Sequence, residues 1–185
     1  IGDAPAIPLH FSETLRIGAI EAIAALKSAG IPVHIFSGDT TEAVDTLAAK
    51  LDVTSAHAQM LPADKMARIK QLSDDGAKVL MIGDGLNDTG ALAQAYASIS
   101  PASALDASRA ASDIVLLSRS LAEIPDAIRT AKSARLRVLE NFGIAAAYNL
   151  VAVPVAILGF ASPLSAAIAM SASSITVLVN ALRVK

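Results

Sequence analysis

Two aspartates and an asparagine in one short loop are the residues of this sequence best suited to chemistry. Asp84, Asn87 and Asp88 follow the apolar run 79–82, and small apolar residues resume behind them. An apolar run that stops at glycines and acids predicts a buried parallel strand, a tight turn at its carboxyl end and a new helix. In open α/β sheets ligands bind at that end of the strands, and carboxylate oxygens suit Mg²⁺. The pattern predicts a magnesium site, with a solvated turn as the alternative.

Two further segments carry groups that could hold a phosphate beside such a cation. Ser37, Gly38 and Asp39 precede an expected helix, so a hydroxyl and backbone N–H groups would lie at a helix N-terminus, which favours an anion. A helix cap is the equal alternative for the hydroxyl of Ser37 or of Thr40. Lys65, in the first turn of another expected helix, could reach a phosphate or a carboxylate, although a lysine there is more often a solvated charge. A hydroxyl, a lysine and a magnesium site together would suit phosphoryl transfer.

The elements around these residues alternate between helix and strand. Apolar periodicity and turn residues predict helices at 13–29, 41–51 and 62–73, and strands at 33–36, 55–60, 78–82, 97–99 and 114–117. This alternation predicts a Rossmann-like α/β layer fold over about residues 1–120. The carboxyl ends of the strands would then bring Ser37, Lys65 and Asp84 to one edge of the sheet.

The last part of the sequence has a different composition. Residues 141–182 contain no Asp, Glu, Lys, Arg or His, and Pro163 divides them into apolar spans at about 141–160 and 164–182. Each span would be roughly 28–30 Å long as a helix, which matches a bilayer core of about 30 Å. The pattern predicts a transmembrane hairpin, with two buried core helices as the alternative. Residues 121–140 are expected to form one helix that connects the α/β part to the first span.

Charge and cysteine content exclude several kinds of protein and site. Positive residues flank both outer ends of the hairpin and its connection is uncharged, so both ends are expected in the cytoplasm. The formal net charge of the 185 residues is −2, which does not favour nucleic acid as a partner. There is no cysteine, hence no disulfide, thiolate metal site or cysteine nucleophile. The sequence begins at Ile1, which suggests a fragment of a longer protein.

These motifs resemble those of the P-type ATPases, pumps built on a haloacid-dehalogenase-type phosphorylation domain. The string 83–92 is similar to the family's hinge motif GDGxNDxxAL, and Ser37-Gly38-Asp39 resembles its TGD-type motif. Lys65 resembles the lysine that contacts the aspartyl phosphate. The resemblance implies a partial phosphorylation domain in which Asp84 binds Mg²⁺ and Asn87 and Asp88 complete the site. The segment 13–16 looks like the family's D-x-x-R-P, but Ile17 replaces the proline and no role is assigned to it.

The hairpin resembles the last two helices of the heavy-metal pumps of the copper and silver class. Family members place a Tyr-Asn pair and a Met-x-x-Ser-Ser there, which match Tyr148-Asn149 and the segment with Met170 and Ser174. The resemblance implies that these four residues line the path of the transported ion. Met170 and Ser174 are four residues apart and share one helical face, and a thioether suits Cu(I). Helix packing is the alternative, since methionine fills gaps and small residues pack membrane helices.

The ion and its delivery follow from the same resemblance. Zinc-type relatives typically carry an acidic residue in the last helix, and residues 164–182 have none. The strings 85–92 and 98–106 look closest to bacterial copper pumps that serve cytochrome oxidase assembly. Expected partners are therefore Cu(I) or Ag(I), the bilayer of the inner membrane, and a metallochaperone or oxidase assembly factor.

The complete pump would transfer the γ-phosphoryl of ATP to the aspartate of a D-K-T-G-T motif, with Mg²⁺ bound at Asp84. That motif and the Cys-Pro-Cys ligands do not occur in this sequence, so the chain alone is expected to be inactive. One alternative is a membrane-tethered phosphatase of the same superfamily, which would need an Asp-x-Asp pair where Asp3 stands alone. Another is a non-catalytic membrane remnant, for which changing Asp84 would have no cost.

Overall fold

A computed structural model describes residues 14–118 and 120–183. Contacts between Cα atoms divide the chain into two compact units, Ile1–Glu123 and Ile124–Lys185. We call the first the α/β unit and the second the helix unit.

The described part of the α/β unit alternates strands and helices, as the sequence predicts. Its elements are α1 Ala19–Ser28, β1 His34–Phe36, α2 Thr41–Leu51, β2 Ser55–His57, α3 Pro62–Asp74, β3 Leu80–Ile82, a 3₁₀ turn Leu86–Asp88, α4 Thr89–Gln94, β4 Ala97–Pro101, α5 Asp106–Ala111, β5 Ile114–Leu116 and a 3₁₀ turn Leu121–Glu123. All strand pairs are parallel, in a two-stranded sheet β1-β2 and a three-stranded sheet β3-β4-β5. This confirms the predicted α/β class.

The local sequence explains where the helices next to the candidate site begin. Thr40 caps α2, because its hydroxyl oxygen accepts a hydrogen bond from the Ala43 N–H at 3.4 Å. Pro62 opens α3, where its missing N–H has no cost, and the Asp64 carboxylate accepts from the Leu61 N–H at 2.9 Å. Both helices therefore start just after the carboxyl ends of β1 and β2.

The strand β4 forms the centre of the three-stranded sheet and is the best buried strand. Ile99 packs into the core with 1% of its surface exposed. The buried Ser98 is satisfied by Asp113, whose carboxylate accepts from the Ser98 N–H at 2.8 Å and from its hydroxyl at 3.0 Å. This buried strand holds the start of the acidic loop in place, since the whole of β3 pairs with the first three residues of β4.

One predicted helix begins later than expected, and one short helix was not predicted. The first helix begins at Ala19 rather than at residue 13 of the expected range, because Gly18 adopts a left-handed conformation with φ 76°. A Cβ at Gly18 would lie 2.5 Å from the Ser120 hydroxyl oxygen, so only glycine fits there. The helix α5 was not predicted, since its six residues are too few to show a periodic apolar face.

The helix unit consists of two helices, α6 Ile124–Ile157 and α7 Pro163–Ala181. Both are long and apolar enough to span a membrane. The expected connecting helix and first span form a single helix that continues through Pro154. Gly159, with φ 81°, turns the chain, and Ser162 and Ser165 cap α7 through reciprocal hydrogen bonds. The limits predicted at residues 120 and 140 remain predictions as domain boundaries.

Residues at helical spacing that are half-buried or, at Asn180, buried mark the face on which α6 and α7 pack. They are Asn141, Ile144, Ala145, Tyr148 and Ala152 on α6, and Ala169, Ser173, Val177 and Asn180 on α7. We call these nine residues the seam. Two of the four seam residues of α7, Ala169 and Ser173, are small, and small residues let two helices approach closely in lipid.

Candidate functional site

The acidic loop leaves β3 in a tight bend whose shape depends on glycine. The Gly83 N–H donates to the Ile99 carbonyl at 3.2 Å, and the Asp88 N–H donates to the Gly85 carbonyl at 3.0 Å. A Cβ at Gly83 would lie 2.8 Å from the Cβ of Asp88, which is closer than real Cβ contacts allow. The loop therefore folds back on itself, so that the Asp88 side chain crosses over Gly83.

The helix α5 holds this loop from the other side. The Ser108 hydroxyl donates to the Gly85 carbonyl at 2.7 Å, and the Leu105 N–H donates to the Asp84 carbonyl at 3.3 Å. Ser108 is fully buried, so its hydroxyl needs that acceptor. Sequence reasoning missed this role, because nothing in the sequence distinguishes Ser108 from any other serine in a short helix.

Lys65 reaches the loop from the first turn of α3. Its Nζ donates to the Asp88 Oδ1 at 2.7 Å, and the two side chains are only 11% and 15% exposed. Of the two predicted interpretations of Lys65, the solvated charge is wrong, and contact with a carboxylate is confirmed. A charge pair this well buried is stable only while both partners are present.

Asp84 also has a cationic partner, which the sequence analysis did not assign. The Arg16 guanidinium forms an ion pair with the Asp84 carboxylate and donates to the Ser103 hydroxyl at 3.0 Å. The Arg16 and Asp84 side chains are 41% and 45% exposed, so this pair is open to solvent. The signal for Arg16 was its place in the segment resembling D-x-x-R-P.

The segment of Ser37, Gly38 and Asp39 lies at the end of β1, in the two-stranded sheet. The Asp39 N–H donates to the Ser37 hydroxyl oxygen at 3.2 Å, so that hydroxyl stabilises a turn. Of the two residues that the cap alternative named, Thr40 caps α2 and Ser37 does not, so that alternative is confirmed for Thr40 only. A Cβ at Gly38 would lie 3.3 Å from the Met60 carbonyl oxygen, which keeps the two segments close.

Backbone hydrogen bonds connect this turn to the segment that leads into α3. The Met60 N–H donates to the Ser37 carbonyl and the Gln59 N–H to the Asp39 carbonyl, both at 2.9 Å. In the described part of the chain, the recorded hydrogen bonds of residues 37–39 do not extend to the acidic loop. The structure thus brings Lys65 to Asp88, while the meeting of Ser37 with Asp84 stays a prediction.

The charges and donors of the acidic loop fit a hard divalent cation with incomplete protein coordination. Asp84 offers carboxylate oxygens to solvent, Asn87 is exposed beside it, and Asp88 is held by Lys65. Among the described residues there is no cluster of three His, Cys, Asp or Glu side chains that could hold a metal alone. Mg²⁺ fits such a site, because it is commonly bound by one or two carboxylates while water and phosphate oxygens complete its octahedron.

The histidines nearest to this site have structural partners. The Nδ1 of His34 lies 2.7 Å from the Ser55 hydroxyl oxygen, and the Phe36 ring lies between the rings of His34 and His57 at centroid distances of 6.1 and 5.5 Å. Burial lowers the pKa of His34, and electrostatic repulsion from the neighbouring Arg68 and His57 side chains lowers it further. His34 and His57 therefore support the β1-β2 pair.

The four residues predicted to line an ion path do not converge in the helix unit. Tyr148 lies in the seam, whereas Asn149, Met170 and Ser174 are exposed, Met170 by 67%. Met170 and Ser174 share a face, as predicted, but that face does not pack against α6. Within the described part of the helix unit, the interhelical side-chain hydrogen bond joins Asn180 to Asn141 instead.

Comparison with known proteins agrees with these features over nearly the whole chain. The haloacid dehalogenase-like hydrolase family matches residues 7–95. Nitrogen fixation protein FixI of Rhizobium leguminosarum bv. viciae is 45% identical over 173 residues, which cover 94% of this chain and 23% of FixI. The probable copper-exporting P-type ATPase V of Mycobacterium tuberculosis is 34% identical over 177 residues, 96% of this chain and 23% of that protein.

A solved structure matches both the α/β unit and the helix unit. It is the crystal structure of a zinc-transporting PIB-type ATPase in the E2·Pi state, with a TM-score of 0.85, 28% identity, and coverage of 93% of this chain and 28% of that one. The homologues of this chain are heavy-metal P-type ATPases. P-type ATPases are membrane proteins that generally use Mg²⁺ and ATP. The chain spans about a quarter of the length of the relatives it matches.

Proposed function

We propose that the complete protein is an ATP-driven exporter of a heavy-metal cation, with Cu(I) as its preferred ion, that works through an aspartyl-phosphate intermediate. The observation that carries the phosphoryl-transfer part is the Lys65–Asp88 pair beside the exposed carboxylate of Asp84. The Lys65 ammonium is a buried positive charge in a fixed position, and the Asp84 carboxylate is an accessible oxygen ligand. Both lie at the carboxyl end of a parallel strand, where α/β sheets bind ligands. The metal site, the phosphate-binding role of Lys65 and the roles of Asn87, Ser37, Gly38 and Asp39 belong to this proposal.

Each residue of the loop has a separate task in this mechanism. Asp84 would hold Mg²⁺, which when bound would supply positive charge to neutralise the phosphoryl oxygens. Asp88 holds the Lys65 ammonium at a fixed place, so that the positive charge needs no reorganisation when a phosphoryl group arrives. Asn87, exposed beside the two acids, completes the polar edge. Ser37, with its N–H neighbours in the β1 turn, binds the remaining phosphoryl oxygens.

The nucleophilic aspartate lies in sequence outside this chain. The family's D-K-T-G-T string does not occur among the 185 residues. In the described sheets, β1 pairs only with β2 and β3 only with β4, so each of β1 and β3 offers an edge for another parallel strand. We propose that the strand carrying the nucleophile pairs there, which would place its carboxyl end beside both turns.

The preference for Cu(I) is proposed from the donor set of the helix unit. Tyr148, Asn149, Met170 and Ser174 supply a thioether and neutral oxygens, and residues 141–182 supply no carboxylate. Soft, uncharged ligands favour a monovalent soft ion over Zn²⁺. Since Met170 and Ser174 face away from α6, further membrane helices would complete the site. One relative is named as a copper exporter and the matched structure as a zinc transporter, so the names alone do not decide the ion.

The position in the membrane follows from the charges at the helix ends. We propose an inner-membrane protein whose hairpin has both ends in the cytoplasm, because Arg135, Arg137 and Arg183 flank the apolar segments. Ag(I) would be carried like Cu(I). A metallochaperone or an oxidase assembly factor would supply or accept the metal.

ATPase measurements with a panel of metals test this proposal. The complete protein, purified in lipid, should hydrolyse ATP faster with Cu(I) or Ag(I) than with Zn²⁺, Cd²⁺ or Co²⁺. Met170→Ala should reduce the copper stimulation at least tenfold, whereas Ile168→Ala, on the same helix and equally exposed, should leave it unchanged. Stimulation by Zn²⁺ alone would contradict the choice of ion. The 185-residue chain by itself should form no phosphoenzyme with labelled ATP.

A further inference from the structure

The helix unit contains a buried polar contact that the ion path does not use. Asn180 is 7% exposed and is the buried residue of α7, a helix that the structure describes in full. Its Nδ2 donates to the Asn141 Oδ1 of α6 at 2.9 Å, across 39 positions of sequence. The Asn180 Oδ1 accepts from Arg183 at 3.4 Å, so both ends of the amide have partners.

Charged residues lie next to this contact at the open end of the hairpin, opposite the turn of residues 158–162. Arg137 donates to both Glu140 carboxylate oxygens at 3.0 and 2.8 Å, one turn before Asn141. Arg183 follows Asn180 by one turn. The amide pair therefore lies where the apolar segments end, between a charged layer and the apolar part of the seam.

The rest of the seam has little to fix the rotation of one helix against the other. Between the two asparagines and the turn at Gly159, the seam residues of α7 are alanine, serine and valine. Lipid-exposed helices lack a hydrophobic force that selects one orientation, and small residues pack in several. A single buried asparagine pair can select one register among several, as it does in coiled coils.

We propose that Asn141 and Asn180 are positioning residues, a polar clamp that fixes the rotation of α7 on α6 at the open end of the hairpin. The turn of residues 158–162 holds the other end. With both ends fixed, the outward face of Met170 and Ser174 keeps a constant angle to Tyr148. The link to ion binding rests on the proposed function, but the clamp itself does not.

Cysteine cross-linking measures the rotation directly, because the chain contains no cysteine. The register set by Asn141 and Asn180 places Ala145 opposite Val177, with the exposed Leu178 one position around α7. In the full chain in lipid nanodiscs, the pair Ala145→Cys/Val177→Cys should form a disulfide much faster than Ala145→Cys/Leu178→Cys. The ratio of the two rates reports the rotation of α7.

Removing the clamp should lower this ratio. We expect Asn180→Leu and Asn141→Leu each to lower it about threefold or more, the effect of an average interhelical hydrogen bond in a membrane. The double variant should lower the ratio of cross-linking rates no further than a single variant does, because each single change already removes the contact between the two asparagines. Thr176→Val is the matched control, since the Thr176 hydroxyl donates within its own helix to the Ala172 carbonyl at 2.8 Å. An unchanged ratio in the single variants, or strictly additive losses, would overturn the clamp.

A second readout separates the clamp from its role in transport. In the complete pump, Asn180→Leu should raise the ion concentration for half-maximal ATPase several-fold. Phosphorylation by inorganic phosphate should keep its wild-type level. If the cross-linking ratio falls but the ion dependence does not move, the positioning of the ion path is refuted. Cross-linking needs neither ATP nor metal, so failure of the proposed pump function would leave the clamp result standing.

Discussion

The residues that belong to sequence motifs have different surroundings in the α/β unit and in the helix unit. In the α/β unit, the acidic loop meets cationic side chains from two distant segments, Lys65 at Asp88 and Arg16 at Asp84. In the helix unit, Met170 and Ser174 face outward, and a polar contact is made by two asparagines to which the sequence assigned no role. The first site is assembled largely within this chain, whereas the second offers a surface for further helices.

Geometry explains the difference. Parallel strands place the loops at their carboxyl ends along one edge of the sheet. Motifs far apart in sequence can therefore meet within one chain. A helix presents a different side chain every 100° or so, and two helices can cover only one face of each other. Residues on the remaining faces have no contact until other helices pack there.

The largest expected effect concerns the buried pair of the α/β unit. Lys65→Met leaves the Asp88 carboxylate buried without its partner, which should cost about 3–5 kcal/mol of local stability. Hydrogen exchange of peptides from β3 to α4 should then speed up markedly, while exchange in α6 and α7 stays the same. Lys70→Met is the control, because the exposed Lys70–Asp74 pair contributes at most about 1 kcal/mol. Equal exchange in both variants would mean that the Lys65–Asp88 pair does not hold the loop.

A smaller but decisive effect concerns Asp84. Asp84→Asn removes the accessible carboxylate and should weaken divalent-cation binding by the chain at least tenfold, about 1.4 kcal/mol. Mn²⁺ electron paramagnetic resonance with Mg²⁺ competition measures this. The control variant Asp74→Asn lacks an exposed aspartate elsewhere in the α/β unit and should bind Mn²⁺ with the affinity of the wild type. Identical affinities for the two variants would exclude Asp84 as a ligand.

A substitution at Arg16 should strengthen divalent-cation binding, whereas the substitution at Asp84 weakens it. Its guanidinium neutralises the carboxylate that a metal needs, so Arg16→Gln should tighten Mn²⁺ binding. The pair is nearly half exposed and worth roughly 0.2–1 kcal/mol, which predicts an increase of about 1.5- to 5-fold. Arg109→Gln, which breaks the exposed pair with Asp106, is the matched control. Weaker binding in Arg16→Gln would show that Arg16 supports the cation rather than competes with it.

The smallest structural effect is expected in the helix unit. Met170→Ala truncates an exposed side chain and should leave the cross-linking ratio between α6 and α7 unchanged, in contrast to Asn180→Leu. A fall in the ratio for Met170→Ala would instead support the packing interpretation of Met170.

The parts of the fold that depend on the periodicity of apolar residues and on helix- or strand-breaking residues could be predicted from the sequence. Pro62 and the alternating apolar runs predicted α3 and the strands, and the absence of charge in residues 141–182 predicted two long apolar helices. The short α5 and the late start of α1 could not be predicted. One is too short for a period, and the other depends on contacts of Gly18 with residues about 100 positions away.

The same limit applies to the candidate site. The acidic loop was predictable, because glycines and acids after an apolar strand are a local pattern. The partners of its charges were not, since Arg16 and Ser108 reach the loop from 68 and 23 positions away. Sequence reasoning chose the candidate residues of the acidic loop and missed Arg16 and Ser108, which hold that loop.

The phosphoenzyme of the complete protein tests the central claim most directly. Labelled ATP and acid quenching measure the aspartyl phosphate as a function of Mg²⁺ in the wild type, Asp84→Asn and the control Asp74→Asn. If Asp84 binds the Mg²⁺ of a phosphorylation site, the wild type and Asp74→Asn should reach the same level, and Asp84→Asn should stay at least tenfold below it at millimolar Mg²⁺. An Asp84→Asn variant that forms the phosphoenzyme with wild-type yield and Mg²⁺ dependence would contradict the account.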